Sequence, residues 1–332
     1  MARYEPKRPL LSRLNDLVSS HSPQSFSHGQ AVALMVLTAA LWSLGGTLTR
    51  LLHQAHGLEV TFWRSVFATL TVGAWFAWQG RSRSSAPSRP MWWPTGPVQW
   101  LGGLLWAVMF TCFTVSMSMT QVANVLITQS LTPIFTALLA WKFLHKPVAR
   151  HTWWAVAVAS LGICTMYAFD VAGLEGRQIL GVFVALGIPT AGAVNWIVLQ
   201  RTGGRMDMTP AVWVGGWLSA MAALPFIWPI QVSPHDLGLL ALLGIFQLGI
   251  PCILVVRVTR HLAAAEVSLL ALLEVVFGIV LSATLTGEHP GTATLIGGTA
   301  VLMALFYNEW AGSVRAAVAQ PHTRSTDSSR RE

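Results

Sequence analysis

The segment from Val267 to Gly287 contains one charged residue, Glu274, and is otherwise apolar or uncharged. An apolar run of about 20 residues is long enough to cross a bilayer as an α-helix. A carboxylate in the middle of such a helix is costly, and it usually faces the protein interior or a water-filled cavity. The segment therefore predicts a membrane protein with a polar interior, and Glu274 is its first candidate functional residue.

The composition of the whole chain agrees with this prediction. Of the 332 residues, 53% are hydrophobic and 10% are charged, whereas a soluble domain usually carries about 25% charged residues. The formal net charge is +8, which in a soluble protein would suggest binding to nucleic acid. Here the basic residues lie between apolar segments, so membrane topology explains them better. The lipid bilayer is therefore the predicted partner, and no binding to nucleic acid is predicted.

Ten apolar segments are predicted to cross the bilayer, which makes the chain an all-α integral membrane protein. Because ten is an even number, both ends of the chain are placed on the same side of the membrane. The first polar segment lacks the short apolar core and small-residue cleavage site of a signal peptide. The predicted spans are 31–49, 60–78, 98–119, 122–141, 152–169, 179–200, 210–230, 237–256, 265–286 and 291–308.

The basic residues fix the predicted orientation. With the N-terminus in the cytoplasm, nearly all of the 21 lysines and arginines fall in the tails or in the loops on the cytoplasmic side. Only Arg50, Arg64 and Arg177 fall at or near the outer side. Cytoplasmic loops of membrane proteins carry such an excess of Lys and Arg. Both termini are therefore predicted to be cytoplasmic, and the agreement supports the count of ten spans.

The third to fifth spans resemble the eighth to tenth spans in one register. That register aligns Gly102 with Gly244 and Thr132 with Glu274. Two halves of five spans each have opposite orientations in the membrane, because five is odd, and many transporters use such inverted repeats around a site at the midplane. The predicted parts are a cytoplasmic N-terminal tail (1–30), a first five-helix repeat (31–170), a second five-helix repeat (178–310) and a cytoplasmic C-terminal tail (311–332).

A series of motif residues surrounds Glu274. Its members are Arg260, Glu266, Ser268, Leu269, Leu270, Glu274, Gly287 and Glu288, and Val275 stands where related proteins commonly have proline. The stretch ALWSLGGTLTR (40–50) and the arginine of FWRSV, Arg64, extend the pattern to the first two spans. Through these motifs the chain resembles the drug/metabolite transporter superfamily, EamA type, over roughly residues 31–308.

The resemblance implies a transporter that works by alternating access around a central cavity between the two repeats. The chain is similar to bacterial exporters of aromatic amino acids and other metabolites. This similarity implies export of small organic metabolites such as amino acids across a bacterial inner membrane. An alternative within the superfamily is nucleotide-sugar or sugar-phosphate exchange. Phosphate substrates need several cationic groups, and the deep membrane supplies only Arg64 and at most Arg257. Substrate, direction and coupling to protons or sodium stay open at this point.

Two charged residues are candidates for the substrate cavity. Glu274 can bind a proton, which would couple transport to a gradient, or a cationic group of the substrate; alternatively it accepts a hydrogen bond that ties its helix to a neighbour. Arg64 can attract a carboxylate or close an outer gate; alternatively it snorkels to the interface or bonds carbonyls at a helix end. Glu266 lies near the inner end of the same span as Glu274, where a solvated or ion-paired role is expected.

The remaining cavity candidates are uncharged. Most of the 16 tryptophans lie at span ends, as in an interfacial belt, but Trp42 and Trp106 lie well inside their spans and can line an apolar cavity or pack against lipid and neighbouring helices. Amides in mid-span can orient a polar substrate or form hydrogen bonds between helices. The full set of predicted cavity residues is Trp42, Arg64, Trp106, Asn124, Gln129, Asn195, Gln247 and Glu274.

No motif of an enzyme is present in the sequence. There is no P-loop, no G-x-S-x-G and no H-E-x-x-H, and Glu274 has no second carboxylate at short spacing. The histidines lie mainly in loops and tails, and the cysteines Cys112, Cys164 and Cys252 lie alone in apolar segments. No cofactor, metal site or disulfide is therefore predicted. An intramembrane enzyme or a scaffold is the alternative from another functional class, and the sequence carries no signal for the oligomeric state.

Overall fold

All regular secondary structure in the described residues of the computed structural model is helical. The structure describes residues 27–55, 57–81, 93–144, 150–168, 176–202, 206–230, 232–258, 261–262, 267, 270–271, 273–287 and 291–319. The helices are α1 His28–Arg50, α2 Leu58–Arg81, α3 Pro97–Met117, α4 Val122–Gln129, α5 Thr132–Leu144, α6 Arg150–Ala168, α7 Gly176–Ala185, α8 Gly187–Thr202, α9 Thr209–Ala223, α10 Pro234–Leu242, α11 Ile250–Val258, α12 Leu273–Leu285 and α13 Thr292–Ala319. A 3₁₀ turn, Leu224–Phe226, follows α9, and a π-helical segment, Leu243–Gly249, joins α10 to α11.

Local sequence explains where two of these helices begin. Ser27 precedes α1, and its hydroxyl accepts the amide N–H of Gln30 at 3.3 Å while its own amide donates to Gln30 Oε1 at 2.9 Å. This reciprocal pair is a capping box, which satisfies amide groups that a helix leaves unpaired at its N-terminus. Ser233 caps α10 by accepting the amide of Asp236 at 3.1 Å, and Pro234 occupies the first helical position.

Many hydroxyl groups inside the apolar helices donate to a carbonyl of their own helix. The Thr38 hydroxyl donates to the Leu34 carbonyl at 2.7 Å, and the Thr128 hydroxyl donates to the Asn124 carbonyl at 2.7 Å. An unpaired polar group in an apolar medium costs several kcal/mol, so these bonds let threonine lie inside a span without a second helix to partner it.

The helices follow the predicted spans, with differences in their bounds or continuity. The sixth span is two helices, α7 and α8, and the eighth contains the π-helical segment between α10 and α11. The fourth span is two helices, because the chain turns at Ser130 and Leu131. The helical part of the seventh ends at Phe226 instead of residue 230, since Pro225 has no amide hydrogen to continue the α-helical ladder. The tenth continues to Ala319, well into the segment predicted as a tail, because polarity ended the predicted span whereas the alanine-rich sequence still favours helix. Of the ninth span, mainly α12 is described.

Four helical runs within the described residues are long and apolar enough to cross a membrane by length and composition. They are α1, α3, the run Gly176–Leu199 formed by α7 and α8, and the run Pro234–Val258 formed by α10, the π-helical segment and α11. Three further apolar helical segments are shorter, namely Val122–Thr136, Leu273–Leu285 and Leu295–Asn308. An all-helical fold of the described residues with candidate membrane-spanning helices is thus confirmed, while the number of ten spans stays a prediction.

The surface of the helices agrees with a lipid environment. Large apolar side chains that are 61–71% exposed occur on both repeats. Soluble monomers rarely expose extensive apolar surface, so these side chains fit a surface that faces hydrocarbon chains. Examples are Leu70, Trp154, Leu161, Phe183, Leu285 and Met303.

The two halves pack against each other in matching pairs. The third span (α3) packs on the seventh (α9), and the eighth (the π-helical segment) packs on the second (α2). The third span also packs on the sixth (α3 on α8), and its counterpart is the eighth on the first (α11 on α1). In the same way the fourth packs on the sixth (α5 on α8), and its counterpart is the ninth on the first (α12 on α1). The fifth and tenth spans, α6 and α13, pack on each other. Each contact thus has a counterpart with the halves exchanged, as expected for two repeats related by a twofold axis.

Glycines at aligned positions allow two of these matching crossings to be close. A Cβ atom on Gly102 would lie 2.9 Å from Met208 Cε and 3.2 Å from Ala211 Cβ, at the contact of α3 with α9. A Cβ atom on Gly244 would lie 2.6 Å from the Arg64 carbonyl oxygen, where the π-helical segment crosses α2. Small residues permit such close approach of helices in membranes, and the second crossing fixes the backbone of Arg64.

Candidate functional site

A cavity of about 180 Å³ lies between the two halves, with lining residues from both. In the first half they come from α1, α2, α3 and the junction of α4 with α5, and in the second from α8, the π-helical segment, α11 and α12. The structure brings together all of the predicted cavity residues except one. Those that line it are Trp42, Arg64, Trp106, Gln129, Asn195, Gln247 and Glu274.

Arg64 is enclosed by the protein on α2. The residue is 3% exposed, and its Cζ atom lies 5.0 Å from the ring centroid of Phe113 and 5.9 Å from that of Phe110. Its Nε and Nη1 atoms are buried and have no hydrogen-bond partner within the described ranges. An arginine that snorkels would place its guanidinium at the surface, so this alternative does not describe Arg64. Its cationic group lines the cavity instead.

Glu274 is the acidic residue among the described residues that line the cavity. It lies at the start of α12, is 5% exposed, and its Oε2 accepts a hydrogen bond from Gln129 Nε2 at 3.0 Å. Gln129 is the last residue of α4, so the break between α4 and α5 presents its side chain to the other half. Both interpretations of Glu274 thus have support: it ties its helix to a neighbour, and it lines the cavity.

Two amide side chains add acceptor oxygens. Gln247 sits in the π-helical segment and donates from Nε2 to the Trp42 carbonyl at 3.3 Å. Its Oε1, and the Oδ1 of Asn195 on α8, are buried and have no partner among the residues that the structure describes. Single π-helical turns within α-helices are frequent at functional sites. The cavity therefore offers a cation, a carboxylate and acceptor oxygens on a wall of aromatic and aliphatic side chains.

Asn124 lies apart from the other candidates. It is 6% exposed on α4, and its Nδ2 donates to the Thr120 hydroxyl at 3.1 Å. It is not among the residues that line the cavity. The series around Glu274 also has members that lie outside the described residues, namely Arg260, Glu266, Ser268, Leu269 and Glu288.

Several lining residues were not predicted from the sequence. Phe110 and Phe113 follow Trp106 at helical spacing on α3, a stripe that predicts one common face. Thr132 was aligned with Glu274 by the internal repeat, and both line the cavity. The alignment of the repeats could therefore have indicated that Thr132 lines the cavity. The helical spacing from Trp106 could have indicated the same for Phe110 and Phe113.

Comparison with known proteins adds an independent observation. The EamA-like transporter family matches residues 29–168 and 179–308. The chain is similar to the pseudopaline exporter CntI of Pseudomonas aeruginosa, with 22% identity over 250 residues that cover 74% of this chain and 84% of that exporter. It is also similar to solute carrier family 35 member G1 of Mus musculus, with 21% identity over 290 residues that cover 83% of this chain and 77% of that carrier.

A solved crystal structure has the same fold. It superposes with a TM-score of 0.60 at 17% sequence identity, over 85% of this chain and 98% of that chain. The double match to one family, in two consecutive parts of the sequence, agrees with the paired contacts of the helices.

Proposed function

Because the chain belongs to the EamA-like transporter family, within the drug/metabolite transporter superfamily, we propose that it exports a small zwitterionic metabolite of the amino acid class. Transport would proceed by alternating access around the cavity between the two repeats. One observation carries the proposal: Arg64, a buried arginine whose Nε and Nη1 have no hydrogen-bond partner in the described residues, and Glu274, a buried carboxylate, line the same cavity.

The carboxylate of the substrate would bind Arg64. Leaving a buried charge without a partner costs several kcal/mol, and two of the guanidinium nitrogens of Arg64 have no partner in the described part of the chain. A carboxylate can accept two parallel hydrogen bonds from a guanidinium group, and such charge-assisted pairs are roughly twice as strong as neutral ones. A substrate carboxylate therefore supplies what the protein leaves unsatisfied.

The ammonium group of the substrate would bind among the acceptors. These are the Glu274 carboxylate, Gln247 Oε1 and Asn195 Oδ1, of which the last two are buried without a partner in the described residues. An ammonium group has three donors and no acceptor, so three acceptor groups match it in number. The rings of Trp42, Trp106 and other aromatic residues would hold an apolar side chain of the substrate.

Sugar phosphates and nucleotide sugars fit this cavity less well. Arg64 is the cationic residue among the lining residues that the structure describes. Arg257, the second arginine considered for this role, does not line the cavity and lies over the Trp75 ring at 4.3 Å from its centroid. A phosphate group with about two negative charges would therefore meet one fixed cation.

The proposal includes the direction, the coupling and the topology. Similarity to a bacterial exporter supports outward transport. A proton and a substrate ammonium group would compete for Glu274, so that protons enter as substrate leaves. The charge distribution of the loops supports two repeats at 31–170 and 178–310 with both termini in the cytoplasm of a bacterium, and hence location in the inner membrane.

The test is transport in proteoliposomes that contain the full chain. Efflux of a panel of labelled amino acids is compared with that of a sugar phosphate, with and without a pH gradient, for the native chain and for Arg64→Gln, Glu274→Gln and Arg257→Gln. We expect gradient-stimulated efflux of an amino acid that both cavity variants lose and that Arg257→Gln retains. Efflux of the sugar phosphate alone, or equal efflux in all four proteins, would contradict the proposal.

A further inference from the structure

A second cluster of polar side chains lies outside the cavity, where the loop after α1 meets the start of α10. The rings of His53 and His235 stack with centroids 4.4 Å apart and planes inclined by 7°. Asp236 is fully buried beneath them. We infer that His53 and His235 form a binding site for a divalent transition metal ion such as Zn²⁺, oriented by Asp236 and completed by water.

Asp236 fixes the loop against the helix. Its Oδ1 accepts the amide N–H of His53 at 3.1 Å, and its Oδ2 accepts those of Gln54 at 2.8 Å and Ala55 at 3.0 Å. His235 Nδ1 lies 3.1 Å from Oδ1. An ionised carboxylate has about four acceptor positions, and these four contacts fill them. The carboxylate therefore acts on the metal through His235 and does not bind the ion itself.

The contact with Asp236 selects one tautomer of His235. Since an ionised carboxylate accepts hydrogen bonds and cannot donate them, Nδ1 of His235 carries the proton and the lone pair is left on Nε2. Metal-binding histidines almost always donate their other ring nitrogen to a carboxylate or carbonyl in this manner, which fixes the ring and increases the basicity of the ligand atom. The His235 side chain is 54% exposed, so an ion has access to it from solvent.

His53 supplies the second ligand. Its backbone is held by Asp236, its side chain is exposed, and its ring makes no hydrogen bond within the described residues. Ligand atoms of His53, His235 and Asp236 lie within 4.8 Å of one another. Two imidazole nitrogens that share an ion at about 2.0–2.1 Å lie no more than about 4 Å apart. A small rotation of the His53 side chain out of the stack is therefore enough to close the site.

The class of ion follows from the ligands. Neutral imidazole suits Zn²⁺, Cu²⁺ and Ni²⁺, whereas Mg²⁺ and Ca²⁺ prefer oxygen ligands. His53 precedes α2 in the first family match, and His235 lies in the first turn of α10 in the second. A bound ion would thus connect the two repeats, on the side of the membrane opposite the predicted cytoplasmic loops.

The experiment is calorimetric titration of the full chain in detergent with ZnCl₂, after removal of any histidine tag. We expect a saturable component that His53→Ala and His235→Gln remove and that His261→Ala, at another exposed histidine, retains. His235→Gln keeps a donor for Asp236 and removes the imidazole, so the fold is preserved while the ligand is lost. Asp236→Asn should weaken this component by about 10- to 100-fold, as changes to such orienting groups do.

Three outcomes would overturn the inference. Zinc binding with the same affinity in His53→Ala and His235→Gln would place the ion elsewhere. Absence of any saturable component in the native chain would show that the two imidazoles do not act together. Equal affinity for Mg²⁺ would show that the binding is not by imidazole. Thermal unfolding of each variant, measured in the same detergent, confirms that the comparison is between folded proteins.

Discussion

Asp236 and Glu274 are both buried carboxylates, but the protein surrounds them differently. Asp236 has four donors within 3.1 Å, three of them backbone amides of a loop on the other repeat. Within the described residues Glu274 has one, the amide of Gln129 at 3.0 Å, and it lines a cavity. A carboxylate whose acceptor positions are filled holds the fold together, whereas one with open positions can exchange partners. Burial alone does not distinguish the two roles; the number of donors does.

The largest effect should follow from Asp236→Ala. The change leaves three amide N–H groups of the α1–α2 loop without their acceptor, and each such loss costs about 1–3 kcal/mol when the group stays buried. We expect a loss of about 3 kcal/mol in the free energy of unfolding, measured as a lower unfolding temperature in detergent. Transport per folded molecule should be nearly unchanged. A variant as stable as the native chain would remove the structural role assigned to Asp236.

Arg64→Gln should affect substrate binding and leave stability nearly unchanged. Removing one partner of a buried, hydrogen-bonded charge pair weakens binding by about 2 kcal/mol or more, equivalent to roughly 30-fold in affinity. Arg64 has no hydrogen-bond partner on Nε or Nη1 in the described residues, so folding should not depend on its charge. Titration with the transported amino acid, together with thermal unfolding, checks both statements. A large loss of stability with full binding would reverse the assignment.

Glu274→Gln should separate coupling from folding. The introduced amide oxygen can still accept the hydrogen bond from Gln129, so the unfolding temperature should change little. Loss of the carboxylate should weaken binding of the substrate ammonium by about tenfold, or about 1.4 kcal/mol, and efflux should no longer respond to a pH gradient. The measurement is efflux at a series of gradients. If the response to the gradient persists in this variant, another group carries the proton.

Gln129→Ala should have the smallest effect of the series. It removes a single donor from Glu274, and one hydrogen bond contributes about 0.5–1.5 kcal/mol, or up to about tenfold in affinity when the donor also orients the carboxylate. We expect a few-fold rise in the substrate concentration at half-maximal efflux. Thr136→Ala, which also changes a lining residue but leaves Glu274 its donor, is the matched control. Equal effects of the two changes would show that the Gln129 contact has no special role.

Much of the cavity could be predicted because isolated polar residues in apolar spans face the protein interior. This holds for Arg64, Gln247, Asn195 and Glu274, which come from different helices and line one cavity. The same reasoning also predicted Asn124 to line the cavity, which it does not, and the cause is physical. Every residue from Val122 to Thr128 is buried, so α4 has no exposed face whose pattern could indicate which side chains point to the cavity.

The cluster around Asp236 could not be predicted from spacing. Asp236 lies just before the predicted start of the eighth span at 237, where an acidic residue is expected to be solvated, yet it is fully buried. Its partners His53 to Ala55 are about 180 positions away in sequence, and only the packing of α10 against the α1–α2 loop brings them together. The observed ends of the seventh and tenth spans, at Phe226 and Ala319, differ from the predicted ends. Proline and alanine determine where the backbone stops being helical, whereas the predicted spans were defined by polarity.

The π-helical segment Leu243–Gly249 has a mechanical consequence for the two sites. It lies in one continuous rod with α10, which carries Asp236, and α11, which carries the cavity residues Cys252 and Val256. Each residue of an α-helix turns the chain by about 100°. The π-helical segment has wider turns, so it determines how α10 and α11 are rotated relative to each other about their common axis. Deleting one residue there would restore a regular helix and rotate one end relative to the other. The histidine pair and the cavity wall could then no longer both face their partners.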